Sequence, residues 1–256
     1  MTSLLEVRGL VVEYPARDGP TRAVDDVSLD IARGETLALV GESGSGKSSL
    51  GRAVLRLVKP AAGSVRFDGS DVRTLSGGAL RQFRRRAQVV FQDPKASLDP
   101  RLRVGDIVRE GIDIHRLAPR ADADRRVARL LEEVGLSAAD ASRFPHAFSG
   151  GERQRIAIAR ALAVEPEFVV LDEAVSALDV LVRAQVLALL AALQAARGLT
   201  YLFIAHDLAV VERIATRVAV MQRGRVVECA PTAALFATPV SPAAQALLAA
   251  IPRIPW

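Results

Sequence analysis

The sequence predicts an α/β fold with a parallel sheet, because strand-like and helix-like segments alternate along it. Five short apolar runs are the candidate strands, at residues 37–40, 87–91, 168–172, 201–205 and 218–221. Their nearly continuous apolar character is typical of parallel strands that are covered on both faces. Helical patterns such as residues 180–197 and 208–216 separate these runs. This order favours strand–helix–strand units, which build a parallel sheet.

Other segments predict smaller parts around this core. Residues 4–14 and 24–31 alternate between apolar and polar side chains, which favours an antiparallel β subdomain at the edge of the core. Residues 221–227 predict a hairpin with Gly224 in its turn. We therefore expect one domain over 1–230, with a core of 1–96 and 165–230, an inserted α-helical subdomain over 97–164, and a helical, proline-rich tail over 231–256.

The composition limits the class of protein. Of the 256 residues, 50% are hydrophobic but only 4% are aromatic, so the core should be aliphatic. No apolar run approaches the roughly 20 residues that span a bilayer, and the N-terminus lacks the pattern of a signal peptide. The single cysteine, Cys229, excludes an internal disulfide and any multi-cysteine metal or iron–sulfur site. These features predict a cytoplasmic protein.

The net charge of +5 raises the question of a nucleic-acid partner. The sharpest basic cluster consists of Arg81, Arg84, Arg85 and Arg86, and Phe83 is the one aromatic residue among them. Binding of single-stranded nucleic acid usually needs aromatic side chains interleaved with the charges. We therefore expect no nucleic-acid partner, and we interpret the cluster as a solvated helix face or a surface near lipid head groups.

A glycine-rich stretch after the first apolar run carries the clearest chemical signal. It has the G-x-x-x-x-G-K-S pattern of a phosphate loop and consists of Gly41, Glu42, Ser43, Gly44, Ser45, Gly46, Lys47 and Ser48, with Ser49 next in the chain. Backbone N–H groups and a helix N-terminus would surround the phosphates. Lys47 would reach the β- and γ-phosphates, and Ser48 would offer its hydroxyl to Mg²⁺. A glycine turn that binds nothing is the alternative, but the strand before and the helix after disfavour it. The core is therefore predicted to be of the phosphate-loop (RecA-like) ATPase type.

Two acidic residues, Asp172 and Glu173, lie at the end of the apolar run that begins at Phe168. Asp172 at the tip is placed to hold Mg²⁺, and Glu173 could polarise a water for attack on the γ-phosphate. An ordinary solvated strand end is the alternative for such a pair. The upstream phosphate loop favours the catalytic interpretation.

A third motif, Phe148-Ser149-Gly150-Gly151-Glu152, lies between the loop and the acidic pair. With it, the chain resembles the nucleotide-binding subunit of ATP-binding-cassette (ABC) transporters, in which serine and glycines of this kind form the signature motif. The resemblance implies that Ser149, Gly150 and Gly151 contact the nucleotide held by the opposite subunit. Glu152 stands where the family usually has glutamine, and a carboxylate near phosphate is less favourable.

A second stretch, Leu75-Ser76-Gly77-Gly78, matches the signature letters even more closely. It lies only about thirty residues after the phosphate loop, whereas the family places its signature after the helical insertion. We expect this stretch to be a turn that starts a helix.

The resemblance assigns roles to four further residues. Gln92 would sense Mg²⁺ and the γ-phosphate, Asp179 would belong to the loop at the dimer interface, and His206 would contact the γ-phosphate. Tyr14 lies where the family stacks an aromatic ring on adenine; a surface aromatic before a proline is the alternative. The implied catalytic residues are Lys47, Gln92, Glu173 and His206, and the implied ligands of Mg²⁺ are Ser48, Gln92 and Asp172.

Finer features resemble the oligopeptide, dipeptide and nickel importers, in particular their F-type ATPase subunit. The stretch from Phe91 to Arg101 and the tail at 246–252 carry this resemblance, whereas Ala174 replaces a usual proline and Ser49 a usual threonine. The implied cofactors are ATP and Mg²⁺. The implied partners are a second ABC ATPase subunit (a paralogue or a second copy), two transmembrane permease subunits and an extracytoplasmic solute-binding protein. The implied location is the cytoplasmic face of the cell membrane.

Two alternatives belong to other classes. A soluble ABC-type ATPase that acts on DNA or ribosomes would usually carry a long coiled-coil insertion or two cassettes in one chain, and the sequence has neither. A plain phosphate-loop kinase would lack the signature at 149–151 and the motif at 176–179. We therefore expect an ATP-hydrolysing subunit of an importer for peptides, nickel or another small solute.

Overall fold

The structure is a computed structural model that describes residues 3–16 and 19–250. The chain forms two compact units: one comprises the residues up to Phe83 and those from Gly198 onward, and the other comprises Arg84–Arg197. Each unit has its own strands and helices.

The described residues form the following strands: β1 Ser3–Tyr14, β2 Thr21–Ala32, β3 Thr36–Val40, β4 Ala62–Phe67, β5 Ser70–Asp71, β6 Ala87–Val90, β7 Phe168–Asp172, β8 Thr200–Ile204, β9 Arg217–Gln222 and β10 Arg225–Pro231. They form these α-helices: α1 Lys47–Val54, α2 Gly77–Arg86, α3 Pro94–Ser97, α4 Val104–His115, α5 Arg120–Glu133, α6 Gly150–Leu162, α7 Val180–Arg197, α8 Leu208–Ile214, α9 Thr232–Ala237 and α10 Pro242–Ala249. Two 3₁₀ helices, Ala138–Ser142 and Pro145–Ala147, lie between α5 and α6.

The first unit contains an antiparallel sheet and a mainly parallel one. In the antiparallel sheet the strand order is β2-β1-β4-β5. In the other, β3 lies between β8 and β9 and is parallel to both, while β10 is antiparallel to β9. All five residues of β3 are buried, as expected for a central parallel strand. The sheet therefore holds the end of β3, and the loop that follows it, in a fixed place.

The second unit combines a parallel strand pair with helices. β6 and β7 are parallel, with Ala87 opposite Phe168 and Val90 opposite Leu171. α6 contacts α3, α4, α5 and α7, and its buried residues include Ile156, Ala157 and Ile158. Within residues 97–164 the regular structure is entirely helical. The division of the chain into a core and an inserted helical subdomain stays a prediction.

Most predicted elements are present, with end points shifted by a few residues. The antiparallel pair of β1 and β2, the parallel pairing of β3, and the hairpin with Gly224 in its turn are all observed. β4 and β5 were not predicted. Of the predicted tail, residues 231–250 form the end of β10, α9 and α10, whereas residues 251–256 lie outside the described part of the chain.

One helix of the described residues meets a length and hydropathy criterion for a membrane span, although the sequence has no uninterrupted apolar run of that length. α7 has 18 residues and a mean hydropathy of 1.5, so by length and composition it could cross a membrane. The core helix of a soluble protein meets the same criterion. Val186, Leu187, Leu190 and Leu193 of α7 are buried in the fold. We interpret α7 as a packed helix for this reason.

Candidate functional site

The phosphate loop has the strand–loop–helix form that the sequence predicted. β3 leads into the loop at Gly41, and α1 begins at Lys47. The N-cap residue of α1 is Gly46, which has a φ of 105° and no side chain that could cap the helix. The N-terminus of α1 thus begins directly after the glycine-rich loop, which suits it to bind phosphate oxygens.

Lys47 is held inside the loop and is only 5% exposed. Its Nζ donates hydrogen bonds of 2.8 Å to the carbonyl oxygen of Gly41 and 2.8 Å to that of Glu42. A third, longer contact of 3.3 Å reaches the hydroxyl of Ser45. A buried ammonium needs such acceptors, and phosphate oxygens are stronger ones because they are charged. The loop thus buries a positive charge, which favours an anionic ligand.

Neighbouring strands support the loop from behind. A Cβ on Gly46 would lie 2.0 Å from the carbonyl oxygen of Ala23 in β2, so no larger residue fits there without displacing the backbone. The N–H of Gly224, in the turn between β9 and β10, donates to the carbonyl of Ser45 at 3.0 Å. Contacts with β2 and with the turn between β9 and β10 therefore hold the loop in its shape.

Tyr14 and His206 lie in the same compact unit as the loop. Tyr14 is the last residue of β1 and is half-buried, and His206 is an exposed residue just beyond β8. The next residue, Asp207, caps α8 by accepting the N–H of Ala209 at 3.0 Å. His206 is thus held between a buried strand and a capped helix. The roles of Tyr14 and His206 stay predictions.

In the second unit, the structure joins two residues that are 81 positions apart. The amide Nε2 of Gln92 donates a 2.8 Å hydrogen bond to Oε2 of Glu173. Asp172, at the end of β7, is only 7% exposed. Glu173 has a φ of 49°, a backbone conformation that non-glycine residues rarely adopt and that is found most often at functional sites. Gln92 and Glu173 therefore form one polar site at the end of β7.

The signature motif forms the start of α6 and caps it. The hydroxyl of Ser149 accepts the N–H of Glu152 at 3.3 Å, and the carboxylate of Glu152 accepts the N–H of Ser149 at 2.8 Å. This reciprocal pair is a capping box. The hydrogen bond from the Ser149 backbone lowers the pKa of Glu152. Glu152 therefore has a structural role, because it caps the start of α6. Comparison with the glutamine that the family usually has at this position did not reveal this role.

Asp179 caps the next helix in the same unit. Its carboxylate accepts the N–H of Val182 at 2.9 Å, at the start of α7. Asp179 is exposed, so this cap leaves it accessible to another molecule. Its predicted role at a dimer interface is untested.

Residues of the signature and of the Gln92 loop share a cavity of about 670 Å³. Gln92 and Lys95 line one part of it, and Ser149 and Gly150 line another. Gln154, on α6, also lines the cavity and was not among the predicted site residues. Its sequence context is a helical pattern, which gave no signal that this residue would line a cavity.

The second signature-like stretch starts a helix, as predicted. α2 begins at Gly77, and the carbonyl of Ser76 accepts the N–H groups of Ala79 and Leu80. Of the arginines on this helix, Arg85 and Arg86 are paired with Glu165 and Glu167. The arginine cluster is therefore partly neutralised.

A preformed phosphate loop with a buried lysine, together with an acid-ended strand, defines a phosphate-loop ATPase. Comparison with known proteins identifies the family. Residues 24–176 match the ABC transporter family. The chain is 53% identical over 251 residues to a Brucella ovis protein named for ATP binding in peptide import, covering 98% of this chain and 79% of that protein.

A second relative is the glutathione import ATP-binding protein GsiA of Escherichia coli. It is 54% identical over 256 residues, and the match covers 97% of this chain and 41% of GsiA. The chain therefore belongs to the ABC transporter family. It is one of the ATP-binding proteins of that family and an ATPase.

Solved structures confirm the predicted fold class. CbiO1 from Clostridium perfringens, part of the ABC transporter complex CbiONQ, superposes with a TM-score of 0.82 at 30% identity, covering 93% of this chain and 92% of that one. The ATP-binding cassette MJ0796, a dimer in a post-hydrolysis state with ADP and phosphate, gives 0.81 at 28% identity, covering 89% and 98%.

Proposed function

We propose that this chain is the ATP-hydrolysing, nucleotide-binding subunit of an importer for peptides or similarly small solutes. The names of its relatives support this proposal, because one is named for peptide import and another for import of glutathione, itself a small peptide. They favour import over the alternative of an ATPase that acts on DNA or ribosomes. Nickel and other small solutes remain within the proposal.

The hydrogen bond between Gln92 and Glu173 is the observation that carries the catalytic part of the proposal. It brings an amide and a carboxylate together at the end of β7, beside the buried Asp172. In phosphoryl transfer to water the protein must neutralise charge and align the attacking water. Glu173 is the proposed general base, while Lys47 and His206 stabilise charge on the γ-phosphate.

The proposed site residues have the roles that the family resemblance implies. Tyr14 stacks on adenine, the loop from Gly41 to Ser49 holds the phosphates, and Asp179 with Ser149–Glu152 contacts a nucleotide bound by another subunit. The oxygen atoms of Ser48, Gln92 and Asp172 fit Mg²⁺, which prefers hard oxygen ligands. Since Gln92 gives its NH₂ group to Glu173, its carbonyl oxygen is the atom suited to a cation. Mg²⁺ would neutralise the developing phosphate charge.

The proposed assembly pairs this chain with a second ABC ATPase subunit, a paralogue or a second copy. The pair would act on two permease subunits at the cytoplasmic face of the membrane, and a solute-binding protein would deliver cargo on the other side.

The proposed domain division is a core of residues 1–96 and 165–230, a helical insertion of 97–164, and a tail from 231. Co-purification with permeases, rather than with ribosomes or nucleic acid, would support the proposed assembly with permease subunits.

The substitution Glu173→Gln tests the catalytic proposal. Removal of one preorganised catalytic group typically lowers the rate by about 10²–10³-fold. We expect the rate of ATP hydrolysis by the assembled transporter to fall by this factor. The Kd for ATP, measured by equilibrium titration, should change by less than about threefold. Glu132→Gln on the exposed face of α5 is the matched control and should leave both unchanged. Normal hydrolysis in the Glu173 variant would remove the general-base assignment.

A further inference from the structure

The peptide between Ser45 and Gly46 in the phosphate loop is held from outside the loop. The N–H of Gly224, in the turn between β9 and β10, donates to the carbonyl oxygen of Ser45 at 3.0 Å. This peptide bond is trans, so the N–H of Gly46 points opposite to that carbonyl in the same peptide plane. The hydrogen bond from Gly224 therefore directs the N–H of Gly46 away from the turn.

The turn is itself attached to β2. The N–H of Asp25 donates to the carbonyl oxygen of Gly224 at 2.9 Å. The carboxylate of Asp25 accepts Nε of Arg225 at 2.8 Å and Nη1 of Arg22 at 3.1 Å. The hydrogen bond from Arg225 lowers the pKa of Asp25, so the carboxylate is ionised at neutral pH. Gly224 thus links β2 to the phosphate loop, because its carbonyl accepts from one and its N–H donates to the other.

A second hairpin turn in the same unit shows which feature of Gly224 is special. Asp68 and Gly69, between β4 and β5, have φ values of 50° and 77°, and Arg223 and Gly224 have 48° and 83°. Both turns need a residue that accepts a positive φ at these positions. A Cβ at the exposed Gly69 would meet nothing within 4 Å, whereas one at the buried Gly224 would lie 3.3 Å from the carbonyl oxygen of Ala23. The two turns therefore share a backbone form and differ in their surroundings.

We propose that Gly224 is a positioning residue for the phosphate loop. Its N–H orients the Ser45–Gly46 peptide so that the N–H of Gly46 donates to a phosphate oxygen of ATP. Hydrogen bonds to charged oxygens are stronger than those to neutral ones, and a peptide turned the other way would present the carbonyl of Ser45 to the phosphate instead. The role of Gly224 rests on the proposed function, because it assumes that the loop holds the phosphates of ATP.

Gly224→Ala is the test, and Gly69→Ala is the matched control. Both variants place alanine at a positive φ, so we expect the Tm of each to fall by about 2–8 °C. Only at Gly224 must the neighbouring backbone give by a few tenths of an ångström, which displaces the N–H that holds Ser45. The Kd of the full chain for ATP should rise about tenfold in Gly224→Ala and change less than twofold in Gly69→Ala. Equilibrium titration below the Tm of both variants measures these Kd values.

A role of Gly224 in folding alone would lower the Tm and leave the Kd for ATP unchanged. Equal Kd values in Gly224→Ala and Gly69→Ala, whether raised or not, would therefore overturn the role proposed for Gly224.

Asp25→Ala is the second variant if Gly224→Ala does not fold. It removes the carboxylate that holds Arg225 but keeps the backbone hydrogen bond to Gly224. We expect the Kd for ATP to rise about threefold, since exposed ion pairs contribute little. Loss of a negative charge by itself would strengthen ATP binding, so a higher Kd reports the position of the turn. An unchanged or lower Kd in this variant would overturn the role of Gly224.

These results separate the role of Gly224 from the proposed function. If the unaltered full chain binds ATP and Gly224→Ala binds it as tightly as Gly69→Ala does, only the role of Gly224 fails. If the unaltered full chain bound no ATP, the proposed nucleotide site would fail, and the role of Gly224 with it.

Discussion

α1 and α6 both start in glycine-containing motifs that are predicted to bind phosphate, yet the starts of the two helices are built differently. At α1 the N-cap residue is Gly46, which has no side chain and a φ of 105°, and Lys47 lies buried in the loop. At α6 the side chains of Ser149 and Glu152 cap the turn reciprocally. The first helix start is positively charged, and the second carries a carboxylate.

On the proposed function, this difference separates a loop that holds a nucleotide from a motif that contacts the nucleotide of another subunit. The loop before α1 is suited to hold an anion by itself, because the buried ammonium of Lys47 lies at the N-terminus of α1. The start of α6 has already satisfied the N–H of Ser149 with its own carboxylate. On the proposed function, a nucleotide brought by a second subunit would complete this turn. The isolated chain should therefore hydrolyse ATP poorly.

Alanine substitutions in the phosphate loop should have the largest effect. Gly46→Ala places a Cβ 2.0 Å from the carbonyl of Ala23, so the loop must move, and we expect ATP binding to weaken by at least about 100-fold. Gly44 also has a positive φ, of 79°, but a Cβ added there would have no neighbouring atom within 4 Å. Its cost should be only the backbone strain of about 1–2 kcal/mol. Titration with ATP and thermal denaturation measure both effects.

Equal losses in the two variants would show that backbone conformation, rather than contact with Ala23, shapes the loop. A harmless Gly46→Ala would contradict the view that neighbouring strands hold the loop in place.

Alanine at Gly150 tests the signature, with a smaller and different effect. A Cβ there would make only an ordinary contact, 3.9 Å from Leu178, so the fold should tolerate it. Alanine is also a better helix former than glycine by up to about 1 kcal/mol. We expect an unchanged or higher Tm, and hydrolysis lowered by about 10–100-fold in the assembled transporter. The added methyl group would stand where phosphate from the second subunit approaches.

Gly78→Ala is the matched control for Gly150→Ala. Gly78 is also in the first turn of a helix, α2, and nothing lies within 4 Å of a Cβ there. Hydrolysis should stay normal. A loss similar to that of Gly150→Ala would mean that the stretch at 75–78 acts as the signature.

The sequence predicted the parts of this molecule that depend on local patterns. The buried strand β3, the phosphate loop and the hairpin at Gly224 follow from short motifs and were placed correctly. β4 was missed because its N-terminal half is Ala62-Gly63-Ser64, which gives no apolar pattern. The capping box could have been found, since serine followed three residues later by glutamate is its signature.

Contacts between distant residues could not be predicted in this way. The hydrogen bond between Gln92 and Glu173 joins residues 81 positions apart, and only packing of β6 beside β7 brings them together. The near-complete burial of Gln154, which is 1% exposed, likewise depends on the packing around α6. Neither follows from spacing along the chain.

Glu152→Gln should have the smallest effect, and its pH dependence identifies the cause. Glutamine can still complete the capping box, so the variant loses only the charge near the helix N-terminus, worth about 0.3–1 kcal/mol. Thermal denaturation at pH 7 should show a Tm lower by about 1–3 °C. Since folding lowers the pKa of Glu152 from its ordinary 4.5, its contribution is complete above that pH and is lost as the pH falls through the folded-state pKa. The two Tm curves should therefore converge below about pH 4.5. A difference that stays constant on acidification would mean that the shape of the side chain, and not its charge, stabilises the start of α6.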